Sequence, residues 1–320
     1  MRDHGGNIDQ AIGTWGGAAA DWIDLSTGIN RVPYPTPVLS TQAWTRLPPR
    51  SEIDGLIAAA RTAYRTPAAI LPVAGAQAAI QMIPRLVRPG RARILSPTYN
   101  EHAASLSHAG WQVDAVPDPE GLAGADLAVV VNPNNPDGRT QNPEWLVALA
   151  DRVGMLIVDE SFADPVPALS VAPFHPRGNL LVLRSFGKFY GLAGLRLGFV
   201  LGAPGPIADL AAMVGPWPVS GAAIEIGRRA LVDAGWTSAT TERLAEEVRR
   251  LDLIAARAGW PLVGGCALFR TYEAGDASAA QERLARARIW SRVFPWSDGW
   301  IRLGLPGAPQ EWRRLDAALS

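Results

Sequence analysis

The chain has 320 residues, 48% of them hydrophobic and 19% charged, and its 30 Lys plus Arg balance its 30 Asp plus Glu. That composition excludes a disordered chain, and zero net charge gives no ground for a nucleic-acid or anionic-membrane partner. The lone cysteine, Cys266, excludes an internal disulfide and fits a reducing cytoplasm, and no apolar run is long enough to span a bilayer.

The opening residues, Met1 to Gly6, carry no apolar leader-like stretch. Residues 1 to about 45 are rich in Gly and Pro and read as an irregular arm. Asp54–Tyr64 has helical spacing, and a second helix is expected over Ala76–Val87, ending before Pro89-Gly90. Strands and helices then alternate: strand Arg93–Ser96, helix Tyr99–Ala109, strand Gln112–Val116 and strand Leu127–Val131. A helix opened by Pro143 at its first position runs to Val153, and buried-strand runs follow at Met155–Val158, Leu180–Leu183 and Leu197–Leu201. This alternation predicts a largely parallel α/β sheet covered on both faces.

Beyond that the pattern changes. Ala222–Ala234 and Thr237–Ala258 read as helices. Glu242, Glu246 and Glu247 with Arg243, Arg249 and Arg250 mark a solvated face on the second. An α+β tail follows: strand Ala267–Tyr272, helix Ala277–Ala287, strand Trp300–Leu303 and helix Gln310–Leu319. The length suits one large and one smaller domain. The division read here is 1–30 as an arm and part of the small domain, 31–235 as the large domain, and 236–320 as the small C-terminal domain. The twelve Trp read as core or interface anchors.

Lys188 is the only lysine among the 30 Lys plus Arg. Arg stays protonated, whereas Lys can lose its proton and condense with an aldehyde. The surrounding string, Ser185-Phe186-Gly187-Lys188-Phe189-Tyr190-Gly191-Leu192-Ala193-Gly194-Leu195-Arg196, follows a buried strand, where open α/β sheets place ligands. Ser185 and Arg196 could converge on one anion. Asp159 ends another buried strand and suits pairing with a protonated ring nitrogen. A metal is not expected, since the four His show no ligand spacing. Asn132-Pro133-Asn134-Asn135-Pro136 reads by itself as a turn, Gly75-Ala76-Gln77 as a helix cap able to receive a phosphate, and Tyr99 as a core aromatic or a ring platform.

Taken in order, Gly75-Ala76-Gln77, Pro97-Thr98-Tyr99, Asn132 to Pro136, Asp159-Glu160-Ser161-Phe162, Ser185-x-x-Lys188 and Arg196 resemble the pyridoxal-phosphate enzymes of the aspartate-aminotransferase fold. The resemblance covers nearly the whole chain. The pattern is similar to the branch that holds histidinol-phosphate aminotransferases and the threonine-phosphate decarboxylases of cobalamin biosynthesis. It implies a mostly parallel seven-stranded sheet between helices, a smaller α+β C-terminal domain, an N-terminal arm, a homodimer and pyridoxal 5'-phosphate as cofactor. By the same resemblance, Lys188 holds the cofactor covalently and shuttles protons, Asp159 pairs with its ring nitrogen and Tyr99 stacks on the ring. Asn135 donates to the phenolic oxygen, while backbone groups of Ala76 and Gln77, together with Ser185 and Arg196, hold the phosphate. Arg302 matches the arginine that binds a substrate α-carboxylate, against the plainer reading of a surface strand arginine.

Two features lean toward the decarboxylases. The string His4-Gly5-Gly6-Asn7 resembles their arm, with His4 on the substrate phosphate, and Leu25-Ser26-Thr27-Gly28-Ile29-Asn30 resembles their closing loop, with Gly28 and Asn30 beside the substrate. Phe162 stands where many aminotransferases carry Tyr. Leu47-Pro48 replaces the Tyr-Pro that often reaches the partner's cofactor. Arg46, Arg50 and Arg139 remain open candidates for that contact or for the substrate phosphate. The expected reaction is decarboxylation of the phosphorylated amino acid L-threonine O-3-phosphate. Aminotransfer of the histidinol-phosphate type is the alternative, and a non-catalytic regulatory module is disfavoured because no helix-turn-helix extension is present.

Overall fold

The computed structural model describes residues 4–320, so the first three residues of the expected arm lie outside the described residues. The chain divides into two compact units. One comprises Tyr34–Asn135 and Arg139–Thr237; the other takes the described residues through Pro33, then Pro136–Gly138 and Ser238–Ser320. None of the described helices is long and apolar enough to cross a membrane.

The first unit is built on a seven-stranded sheet. Its strands are β1 (Ala69–Val73), β2 (Arg91–Leu95), β3 (Gln112–Val116), β4 (Leu127–Val131), β5 (Met155–Asp159), β6 (Leu180–Ser185) and β7 (Gly198–Gly202), in the order β1-β7-β6-β5-β4-β2-β3. β7 runs antiparallel to both of its neighbours, and the remaining pairs are parallel. β4 and β5 are buried at every position because helices cover both faces, which is why they appear in sequence as unbroken apolar runs. A core of Val73, Ile80, Ile94, Leu106, Val129, Ile157, Leu183 and Val200 locks the sheet to the helices over one face.

The expected elements occur with shifted ends. The first helix begins earlier, at Arg50, with Pro49 as its N-cap residue. The run Ala76–Val87 is α-helical only over Ala76–Met82 and tightens to a 3-10 turn at Ile83–Arg85, where Pro84 cannot donate to the ladder. The Pro143 helix ends at Leu149, with a 3-10 turn over Ala150–Arg152. Strand β1 and the helix Pro204–Val214 were not expected. Pro72 disguises β1, yet β1 is an edge strand and pairs only with β7, so a missing N–H is tolerated there.

The second unit corrects the expectation of an irregular amino-terminal stretch. Ile8–Trp15 is an α-helix: the Asn7 side chain accepts from the Gln10 N–H as a cap, and Ala11 packs with Trp22, Ala285 and Trp290. Ile23–Asp24 pairs in parallel with Ile289–Trp290. A four-stranded antiparallel sheet combines Leu262–Cys266, Phe269–Glu273, Arg292–Phe294 and Ser297–Gly304. The 24-residue helix Ala234–Arg257 is less purely solvated than its charge pattern suggested. Arg243 pairs with Glu247 at 2.6 Å and also donates to Asn30 Oδ1 at 2.8 Å, and the Arg250 guanidinium lies 4.5 Å from the Trp312 ring centre.

Candidate active site

Three strand ends and one helix start meet at the carboxyl edge of the large sheet. β4 leads into Asn132–Asn135, β5 ends in Asp159, and β6 ends in Ser185 and feeds the short helix Phe186–Phe189 that carries Lys188. The helix Ala76–Met82 starts beside them. These pieces enclose a cavity of about 160 Å³. One water needs only about 10–15 Å³ of such space, so the cavity admits an organic group. Its walls include Ala76, Gln77, Tyr99, Asn135, Asp159, Ser185, Lys188 and Arg196, which places all eight cofactor candidates around one space. Phe162 also lines it, with Lys188 Nζ 5.7 Å from the ring centre.

One end of the cavity is built for an anion. Gly75 caps the Ala76–Met82 helix with φ +79 and no capping side chain, and a Cβ there would lie 2.7 Å from Arg196 Nη2. The guanidinium therefore occupies the space that the missing side chain leaves beside the helix start. Arg196 itself has φ 55. A left-handed non-glycine residue costs about 1–2 kcal/mol, so the surrounding structure must enforce it. On the far side, a Cβ at Gly198 would sit 2.5 Å from Ala76 N, so that glycine lets the helix start press against β7.

The other end holds a buried carboxylate. Asp159 is 2% exposed. Its Oδ1 accepts from Ser161 N at 3.0 Å and Ser161 Oγ at 2.5 Å, and its Oδ2 lies 2.8 Å from His102 Nε2. Burial by itself would raise the Asp159 pKa, but the His102 contact and charge and the two Ser161 donors outweigh it, and the net direction is down. Asp159 is thus an anion facing the cavity. Tyr99 donates its hydroxyl to Gln77 Oε1 at 3.3 Å, and the Gln77 amide donates to Glu101 at 2.8 Å, so the aromatic wall is tied to the helix start. Thr98 and the Pro97 carbonyl both bond Asn134, which fixes the turn before Asn135.

Behind the wall lies a clamp. Arg184 precedes Ser185 on β6 and so points to the opposite side of that strand from it, and Glu160, just past the end of β5, meets it there. Arg184 donates to Glu160 at 2.7 Å and Asp164 at 2.6 Å, with its guanidinium 4.4 Å from the Tyr64 ring centre. Burial pushes both carboxyls up, and Arg184 offsets only part of that.

These residues fit pyridoxal 5'-phosphate. The Gly75–Arg196 cradle matches a phosphate, the anionic Asp159 matches a protonated ring nitrogen, Tyr99 and Phe162 supply apolar faces, and Lys188 supplies the amine. Of the substrate candidates, His4, Gly28, Asn30 and Arg302 belong to the second unit. Gly28, Asn30 and Arg302 are buried and His4 is exposed. Arg302 donates to the Ser26 carbonyl at 2.6 Å and lies 5.1 Å from the Phe269 ring centre, so it is not the surface strand arginine of the plainer reading. Arg46 pairs with Glu52, Arg50 with Asp54, and Arg139 donates to the Pro97 and Pro117 carbonyls.

Three residues that the site uses have no role legible in the sequence: His102, one of four scattered histidines, Ser161, present only as part of the Asp159–Phe162 string, and Arg184. The available signal for His102 is its place three residues after Tyr99, the N-cap residue of the Asn100–His108 helix, which brings the two rings to 6.2 Å. Ser161 and Arg184 carried no signal beyond adjacency to Asp159 and Ser185.

Comparisons with known proteins bear on the family and the fold. The family model described as aminotransferase class I and II matches residues 21–316. A threonine-phosphate decarboxylase from Sinorhizobium sp is 45% identical over 98% of this chain and 96% of its own length. A protein of the same name from Pseudomonas aeruginosa is 44% identical over 100% and 97%. Among solved structures, histidinol-phosphate aminotransferase from Sinorhizobium meliloti in complex with pyridoxal-5'-phosphate superposes with a TM-score of 0.80 at 22% identity, covering 97% of this chain and 92% of that one.

Proposed function

We propose a reaction from one premise: the chain belongs to the aminotransferase class I and II family, and its cofactor is pyridoxal 5'-phosphate. The reaction is decarboxylation of L-threonine O-3-phosphate to (R)-1-amino-2-propanol O-2-phosphate, a step of cobalamin biosynthesis. The observation that carries it is the 45% and 44% identity, end to end, to two relatives named for that decarboxylase.

When bound, the cofactor supplies an electron sink for the pair left at the substrate Cα. The residues of this chain do the rest. Lys188 would hold the group through its amine and would move a proton at the substrate Cα. Asp159, held anionic by Ser161 and His102, would accept from the ring N–H and keep that nitrogen protonated. Tyr99 would cover the ring. Asn135 would donate to the phenolic oxygen and border the substrate. Backbone groups of Ala76 and Gln77, with Ser185 and Arg196, would hold the cofactor phosphate. Arg302 takes the α-carboxylate as a forked donor, and His4, Gly28 and Asn30 contact the substrate phosphate region. Carbon dioxide leaves with the Cα–carboxylate bond broken, its electron pair stays at Cα, and one proton from Lys188 or water returns there. Which Cα bond breaks depends on where the carboxylate and phosphate anchors hold the substrate.

The enzyme acts as a homodimer in the cytoplasm. The exposed apolar side chains of Val38, Trp44, Leu47 and Val232 support the first statement, and the single cysteine supports the second. The test is incubation with L-threonine O-3-phosphate and no 2-oxo acid. Release of CO2 is the expected result. Amino-group transfer that needs an added oxo acid, with no CO2, would assign the chain to the aminotransferases instead.

A further inference from the structure

In the second unit, the segment Leu25–Thr27 is held from two sides, and Ser26 is the residue through which both sides act. Ser26 is fully buried at 0% exposure. On the amino-terminal side, its Oγ accepts the Gly6 N–H at 2.7 Å and donates to Asp24 Oδ1 at 2.5 Å. The backbone approach is closer still: a Cβ on Gly5 would lie 2.2 Å from the Ser26 carbonyl oxygen. No side chain fits there, so residue 5 must be glycine for the arm to lie where it does. On the other side, the same carbonyl accepts from Arg302 Nη2 at 2.6 Å. Two residues on from Arg302, Gly304 donates its N–H to Leu25 O at 2.7 Å, and a Cβ at Gly304 would lie 2.3 Å from Thr27 O. One residue thus ties the backbone next to His4 to the guanidinium of Arg302, with no space on either side for slack.

We infer that Ser26 is a positioning residue for substrate selection, fixing the His4 arm and the Arg302 guanidinium in one frame so that the two ends of the substrate are recognised together. This rests on the roles given above to His4 and Arg302. A substrate that lacks the phosphate loses the His4 contact while keeping the Arg302 contact. Ser26 adds selectivity because an arm held in one place donates to the phosphate without first being ordered. The hydroxyl carries the arm side, and the carbonyl, which no substitution at residue 26 removes, carries the Arg302 side. The Ser26→Ala enzyme should therefore lose the first link and keep the second.

The test uses the holoenzyme and four variants: Ser26→Ala, Gly5→Ala, His4→Ala and the double variant His4→Ala with Ser26→Ala. Amide hydrogen exchange at Gly6 reads arm docking independently of catalysis. Steady-state decarboxylation of L-threonine O-3-phosphate reads KM and kcat. Exchange at Gly6 should quicken in Ser26→Ala and Gly5→Ala. KM should rise about tenfold, the scale of one lost hydrogen bond to a charged group, with kcat changed less than about twofold, the pattern of lost ground-state binding. The double variant should be no worse than its weaker single parent, because both substitutions remove one contact. Faster Gly6 exchange with an unchanged KM would reduce Ser26 to a structural seat and overturn the inference. So would multiplying effects in the double variant, or unaltered Gly6 exchange in both Ser26→Ala and Gly5→Ala. If the wild-type enzyme released no CO2 from L-threonine O-3-phosphate, the functional reading itself would fail, a result distinct from all of these.

Discussion

His102 and Asp159 meet at 2.8 Å with both side chains 4% exposed or less. An ionised carboxylate can only accept, so His102 Nε2 carries the proton in this contact. The pair places a hydrogen-bond donor behind the carboxylate proposed to serve the cofactor nitrogen. Burial opposes the charge of Asp159, and its partners win.

A pH effect follows from that balance. A carboxyl with a depressed folded-state pKa stabilises the fold above its unfolded value of about 3.9, and that contribution disappears as pH falls through the folded value. In His102→Ala, burial opposes the charge with less compensation, so the Asp159 pKa moves up. The acidic limb of the kcat–pH profile should shift to higher pH, and His102→Asn, which keeps a donor, should restore part of it. A profile unmoved in His102→Ala would detach this histidine from the chemistry.

Gly75→Ala tests the phosphate cradle. The added methyl must push Arg196 Nη2 from a 2.7 Å contact, at a φ of +79 that alanine rarely adopts. Disturbing one charged hydrogen bond costs about 1.5 kcal/mol, so the Kd for pyridoxal 5'-phosphate should rise about tenfold. Fluorescence titration of the apoenzyme measures this. An unchanged Kd would place the phosphate elsewhere.

Arg184 tests the clamp. Arg184→Met leaves Glu160 and Asp164 buried without their shared cation, a loss of about 3–5 kcal/mol in stability. Arg184→Lys should recover only part of it, since an ammonium cannot fork to two carboxylates as a guanidinium does. Urea denaturation of the holoenzyme reads both. A loss below about 1 kcal/mol in Arg184→Met, the range of exposed pairs, would contradict the account of this cluster.

Phe162→Tyr adds a hydroxyl to a ring that already borders the cavity beside Lys188. A donor placed near the cofactor's phenolic oxygen favours its ionised form. The pH midpoint of the bound cofactor's near-visible absorbance should fall. A constant midpoint would show that position 162 does not face that oxygen.

How much of this was legible before the fold depends on the range of each interaction. Met155–Asp159 and Leu127–Val131 announce themselves, because a strand buried on both faces must be apolar throughout and polar only where it ends at a site. Lys188 stood out through composition, since every other basic position is arginine. The helix Ile8–Trp15 was hidden by the glycines on both sides of it, although Asn7 and the spacing of Ile8, Ala11, Ile12 and Trp15 carried the signal. Strand β1 was hidden by Pro72, whose tolerance depends on its being an edge, a property of the whole sheet. The His102–Asp159 contact spans 57 positions, and the Ser26–Arg302 contact spans 276. Local pattern cannot supply pairings at such separations; only the topology does.

The most direct test is reduction of the holoenzyme with borohydride, followed by peptide mapping. The account predicts that the cofactor is fixed as a stable adduct on the peptide containing Lys188 and nowhere else. Recovery of that peptide unmodified, with the cofactor washed away or attached to another residue, would contradict it.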